Sequence, residues 1–181
     1  MKLKNGGMLL LTAFIWGTAF VAQSVGMDYL EPFTFNGVRC LIGAIALLPC
    51  IWFFNRGKEK ENKVNDENGK RDLIKGGIAC GILLFAASSL QQIGLVYTAA
   101  GKAGFITAFY IVLVPVFGIF LHKNIGWKVW TAVAIALAGL YFLCITEAFT
   151  IGVGDIYVLL CALIFSVHIL VVDHYAPKVD G

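Results

Sequence analysis

Pro32-Phe-Thr-Phe-Asn-Gly-Val-Arg-Cys-Leu-Ile-Gly-Ala-Ile-Ala-Leu-Leu-Pro-Cys-Ile-Trp-Phe-Phe54 runs for 23 residues with a single charged side chain, Arg39. A helix rises about 1.5 Å per residue, so about 20 apolar residues cross a hydrocarbon core of about 30 Å. The stretch is long enough. Only helices and closed barrels satisfy every backbone group in lipid. A barrel strand would alternate apolar and polar residues over about ten positions, and this run is continuously apolar, so it is a helix.

Working outward, five more blocks have the same character, near 7–26, 73–96, 103–121, 126–145 and 155–173. The predicted fold class is an all-α transmembrane bundle of about six spans. The chain is 59% hydrophobic and 14% charged, against about 25% charged in soluble domains, and its charges are squeezed between the apolar blocks. The first block follows a short basic stretch, Lys2 and Lys4, as a signal peptide would. It is too long for one and has no small-residue cleavage site, so it reads as a retained helix. The net charge of +3 gives no ground for a nucleic-acid partner. Cys40, Cys50, Cys80, Cys144 and Cys161 all fall in apolar blocks, without C-x-x-C spacing, and read as small packing residues.

The positive charges set an expected orientation. With a cytoplasmic N-terminus, twelve of the fourteen Lys and Arg residues face inward, including those of the polar stretch Asn55 to Asp72 and Lys123, Lys128 and Lys178. Asp28, Glu31, Glu147 and Asp155 fall outside. Excess Lys and Arg on short cytoplasmic loops is the usual bias. The expected location is the cell membrane, plasma or inner, crossed several times.

Polar groups within the blocks need partners, because lipid offers none. Arg39 lies about 10 Å along its helix from Pro32. Two readings are open: snorkelling or bonding to neighbouring backbone, and contact with an anion in a cavity. Asn36, Arg39 and Gly43 share a face, as do Gly77, Gly81, Ser88 and Gln92, Thr107 and Tyr110, and Thr12, Trp16 and Gln23. Such faces are expected to turn inward. With the N-terminus inside, Gln23, Asn36, Arg39, Gln91, Gln92, Lys102 and Thr107 concentrate in the outer half, which suggests a polar cavity opening outward. Gln and Ser can equally well bond helix to helix. Pro115 interrupts its span and is expected to kink it, making it a hinge candidate. His168 reads either as a satisfied core histidine or as a proton relay. Ala13-x-x-x-Gly17 and Gly77-x-x-x-Gly81 read as helix-packing patterns. The sequence contains no H-E-x-x-H, Walker A or G-x-S-x-G motif, which argues against an ATP-driven pump or a recognisable hydrolase. No catalytic residue, metal site or cofactor is assigned, and the chain is read as a non-enzyme.

Block six echoes block one. Leu10-Leu11-x-Ala13-x-Ile15-Trp16 lies over Leu159-Leu160-x-Ala162-x-Ile164-Phe165 at an offset of 149. A copy that begins after five spans enters from the opposite side, as in inverted-repeat transporters.

Four stretches carry a resemblance to a known family. They are Ala13-Phe-Ile-Trp-Gly-Thr-Ala-Phe, Pro32-Phe-Thr-Phe-Asn-Gly-Val-Arg39, Gln92-Ile-Gly-Leu-Val-Tyr-Thr-Ala-Ala-Gly-Lys-Ala-Gly-Phe leading through Tyr110 to Val114-Pro115, and Gly126-Trp through Ala136-Leu-Ala-Gly-Leu. In this order they resemble the EamA-type carriers of the drug/metabolite transporter superfamily. The resemblance implies ten helices in two inverted five-helix repeats, with residues 1–150 as the first repeat and 151–181 as the opening helix of a truncated second. Two departures stand out. The turn Leu121-His-Lys-Asn-Ile lacks a glutamate that such carriers often have there, and about six helices are present where ten are implied. The expected function is secondary transport of small organic metabolites, amino-acid-like solutes or drugs, by a protein incomplete at its C-terminus. The alternative is a non-transporting membrane subunit or fragment that needs partner chains. The candidate cavity residues are Trp16, Gln23, Asn36, Arg39, Ser88, Gln92, Lys102, Thr107 and Tyr110. The expected partners are the lipid bilayer and a small solute, with no coupling ion assigned.

Overall fold

A computed structural model describes residues 2–55, 67–121, 126–144 and 152–178. The charged loop at 56–66, the turn following Leu121 and the loop holding Glu147 and Thr150 lie outside the described residues.

The described elements are helices: α1 (Lys2–Gly26), α2 (Pro32–Asn55), α3 (Glu67–Tyr97), α4 (Ala100–Ala108), α5 (Tyr110–Phe120), α6 (Trp127–Cys144) and α7 (Val153–Tyr175), with a 3₁₀ turn at Ala176–Lys178. Five stretches are long and apolar enough to cross a membrane: Gly6–Gly26, Pro32–Phe53, Gly69–Tyr97, Ala100–Phe120 and Val153–Lys178. The sixth, α6, has 18 residues, about 27 Å at the helical rise. Leu10, Phe14, Leu41, Leu48, Ile82 and Phe85 are each at least 60% exposed. In water such a surface would aggregate; in hydrocarbon it is the ordinary outer face of a span. The chain is a multi-pass, all-α membrane protein.

Two helix starts and one break differ from the hydropathy reading, and α1 begins at Lys2, five residues before its block. Helix α3 starts at Glu67, six residues before the apolar block. Glu, Lys and Arg form helices well in water, and hydropathy registers only the part that lipid accepts. The fourth span is divided at Phe109, not at Pro115. There the Phe109 N–H donates to the Ile106 carbonyl at 3.1 Å and the Val112 N–H to the Phe109 carbonyl at 2.9 Å, both three-residue bonds. Pro115 has no N–H, and its ring crowds the carbonyl of Ile111. The tightened turn sits just before that carbonyl, while Pro115 itself is buried within α5.

Helices α3 and α7 form the antiparallel centre of the bundle. Gly94 faces Gly154 and Val158 at one end, and Gly76 faces the Tyr175 ring at the other. Between them Ala87, Val158, Cys161 and Ala162 are fully buried. The glycines let two backbones approach closely: a Cβ on Gly154 would stand 2.8 Å from the Gly94 carbonyl oxygen. Gly76, Cys80, Ala87 and Gly94 repeat at four and seven residues, the spacing of a packed helical seam.

This seam corrects the expected packing faces. Gly77 and Gly81 are exposed, as are Ala13, Gly17, Gly43 and Thr12. A Cβ on Gly77 or Gly81 would meet no neighbour within 4 Å. The contact face of α3 is rotated by one residue from the Gly77-x-x-x-Gly81 pattern. Thr12 satisfies its hydroxyl within its own helix, donating to the Met8 carbonyl at 2.9 Å. Among the cysteines, Cys161 packs in the seam, while Cys40 and Cys50 are exposed, against the expectation that they pack.

Candidate functional site

Arg39 projects from α2 toward α1. One guanidinium nitrogen donates to Gln23 Oε1 at 2.5 Å and the other to Asn36 Oδ1 at 2.9 Å. Both acceptors are themselves fixed. Gln23 Nε2 donates to the Ala19 carbonyl at 3.1 Å, which turns its oxygen to Arg39. Asn36 is 1% exposed and its Nδ2 donates to Ser88 Oγ at 3.0 Å and Ser89 Oγ at 3.3 Å. Further along α3, Gln92 Nε2 donates to the Gln23 carbonyl at 3.4 Å, and Gln91 Nε2 to Thr107 Oγ1 at 3.2 Å. One polar network therefore ties α1, α2 and α3, and the separate bond from Gln91 to Thr107 ties α3 to α4. Gln92 Oε1 is buried without a partner among the described residues.

This network forms one side of a cavity of about 200 Å³ lined by Trp16, Ala19, Phe20, Gln23, Arg39, Leu84, Ser88, Gln91 and Phe165. Much of the remaining lining is aromatic. Trp16 and Phe165 meet edge to face at 6.1 Å and 75°. Behind Phe165, Tyr110 stacks at 6.1 Å and His168 at 5.8 Å, each inclined by 26°. His168 Nδ1 is buried without a partner among the described residues.

Trp16, Gln23, Arg39 and Ser88 line the cavity directly. Asn36 stands behind them and aims Arg39, and Tyr110 supports Phe165. Gln92 and Thr107 are buried between helices and not in the wall. Lys102 goes elsewhere. Its Nζ lies 2.6 Å from Asp155 Oδ2, and Asp155 also accepts from Thr98 Oγ1 at 3.1 Å and the Gly152 N–H at 2.8 Å. That cluster joins α4 to the start of α7. Phe20, Leu84 and Phe165 belong to the wall but are silent in the sequence as polar-face candidates, since an apolar residue in an apolar helix carries no mark. Phe165 had one available signal, its alignment with Trp16 at the offset of 149. Among the described residues, no group of three or more His, Cys, Asp or Glu comes together to hold a metal.

A multi-pass helical bundle with a small, half-polar cavity among its helices has room for a small solute. Similarity to known proteins goes further. The profile of the EamA-like transporter family matches residues 6–145. An uncharacterized transporter of Archaeoglobus fulgidus is 35% identical over 171 residues, covering 93% of this chain and 48% of that protein. The chain belongs to the EamA-like transporter family. It spans about half the length of the curated relative it matches. No solved structure matches it.

Proposed function

We propose that this chain forms the solute-binding part of a secondary carrier for small organic metabolites in the cell membrane, with its N-terminus in the cytoplasm. One observation carries the reading. Trp16 and Phe165 stand in contact in the cavity wall, and they occupy equivalent positions of the two segments that match at an offset of 149. Residues related by a two-fold axis touch one another only near that axis, and inverted-repeat carriers put their site at the interface between repeats. Residues 1–150 then act as one five-helix unit, with α4 and α5 counted as a single span, and 151–181 as the opening helix of its inverted counterpart. The Lys and Arg bias supports the orientation. The chain's similarity to 48% of the archaeal relative favours a second five-helix unit as the other half of the site, whichever chain carries it. It equally supports the narrower reading of a subunit that moves no solute unaided.

Flux separates these readings. The chain would be reconstituted into liposomes alone and fused to the unmatched remainder of the archaeal relative, and tested for exchange of a labelled small-metabolite pool. Saturable exchange by the fusion, absent from the chain alone, is expected. Exchange by neither, or flux linear in solute concentration, overturns the carrier reading. The orientation is checked by replacing Asn65 or Thr150 with cysteine, in a background without other cysteines, and labelling intact cells with an impermeant maleimide. Reaction at position 150 and not at 65 is expected; the reverse overturns it.

A further inference from the structure

Resting on that reading, we propose that the solute is an organic anion, a carboxylate on a compact apolar body, and that Arg39 holds its charge. The charge is the first argument. Arg39 forms no ion pair among the described residues, and its acceptors, the amide oxygens of Gln23 and Asn36 at 2.5 and 2.9 Å, orient the guanidinium without neutralising it. A guanidinium carries five N–H donors. Two are used in these bonds, and the others remain for an occupant of the cavity that Arg39 lines. Lys102 is committed to Asp155 and does not line the cavity.

Preorganisation is the second argument. Gln23 is pinned by Ala19, and Asn36 by Ser88 and Ser89. The guanidinium fork is therefore aimed by three helices before any solute arrives, and binding need not supply the free energy of ordering it. A planar fork suits the two oxygens of a carboxylate. The third argument is the rest of the lining. Trp16, Phe20, Leu84 and Phe165 offer apolar and aromatic surface and no counter-charge for a cation. The volume of about 200 Å³ lies below the range of about 300–1,000 Å³ usual for drug-sized ligands, so the body is small. A cationic solute would meet Arg39 in a medium of low dielectric and be repelled.

The test is equilibrium binding to the full chain in lipid nanodiscs, followed by calorimetry. Three probes of one shape are compared: 3-phenylpropanoate, 3-phenylpropanamide and 3-phenylpropylammonium. The anion is expected to bind about tenfold or more tighter than the amide, as for a charge-assisted bond against a neutral one, and the cation most weakly. Arg39→Gln is expected to erase the preference by weakening the anion about tenfold more than the amide. Arg39→Lys is expected to keep the preference at reduced affinity, because an ammonium lacks the fork. The lysine variant also decides between outcomes if Arg39→Gln fails to insert: unchanged anion affinity in Arg39→Lys overturns the fork. If wild type binds amide and anion equally, or if Arg39→Gln keeps the preference, the anion inference falls while the cavity still stands as a solute site. If none of the three probes binds, the cavity reading falls with it.

Discussion

Among the described residues, Arg39 and Lys102 are two cations with partners inside the bundle, and the bundle treats them differently. Lys102 faces a carboxylate that is 6% exposed and saturated by Thr98 and the Gly152 N–H as well. Arg39 faces two amides, both anchored to helices, and a cavity. In the first case the charge is matched within the chain and fastens α4 to α7. In the second it is oriented and left unmatched. A charge balanced within the protein serves cohesion, whereas the one held beside an open volume is the proposed contact for a ligand.

The largest expected effect breaks the clamp. Lys102→Leu leaves Asp155 buried without its cation and should destabilise the bundle by about 3 kcal/mol, the lower end for a broken buried pair. Helicity followed through an SDS titration in mixed micelles measures it. Arg39→Gln in the same titration should change stability by no more than about 1 kcal/mol, since a glutamine amide can still donate to one of the two acceptors. Equal losses in the two variants would erase the distinction between clamp and ligand site.

Next comes the seam that supports both. Gly154→Ala puts a methyl group against the Gly94 carbonyl and the Tyr97 and Thr98 side chains, and overpacking should cost about 2 kcal/mol. Gly77→Ala meets nothing within 4 Å and should be neutral or slightly stabilising, because alanine favours helix by up to about 1 kcal/mol over glycine. The same titration compares them, and a reversal of the order would move the contact face back to the Gly77-x-x-x-Gly81 pattern.

Smaller still is Asn36→Ala. It removes the brace between Arg39 and the serines of α3, and should cost about 1 kcal/mol. In calorimetry it should also weaken 3-phenylpropanoate, since Arg39 loses one of its two anchors. The smallest change is expected from Phe165→Leu, which loses ring contacts with Trp16, Tyr110 and His168 and should cost about 0.5 kcal/mol in the same unfolding titration. Loss of probe binding without loss of stability there would mark Phe165 as wall and not core.

The candidate site was legible in part. Gln23, Arg39 and Ser88 were visible because a polar atom in hydrocarbon must find a partner, and Trp16 through its place on the same helical face. Whether each partner is a cavity, a neighbouring helix or a counter-charge was not visible. Lys102 and Asp155 are 53 residues apart, and only the crossing of α4 and α7 brings them together. Gln92 and Thr107 share the polarity of the wall residues, yet a small difference in helix rotation buries them between helices.

By itself, the sequence determined the fold class, the positions of the spans and the family, because each depends on local hydropathy or on short motifs read along one strand of chain. It also marked which side chains need a polar partner. Tertiary structure alone decided the rotation of each helix: Gly76 and Gly94 in the seam in place of Gly77 and Gly81, the break at Phe109, and Arg39 and Lys102 drawn to opposite roles. Hydrocarbon explains this division. Nearly every face of a span is apolar, so hydropathy specifies that a helix crosses but hardly which way it turns. The turn is set by close packing and by the few hydrogen bonds between helices.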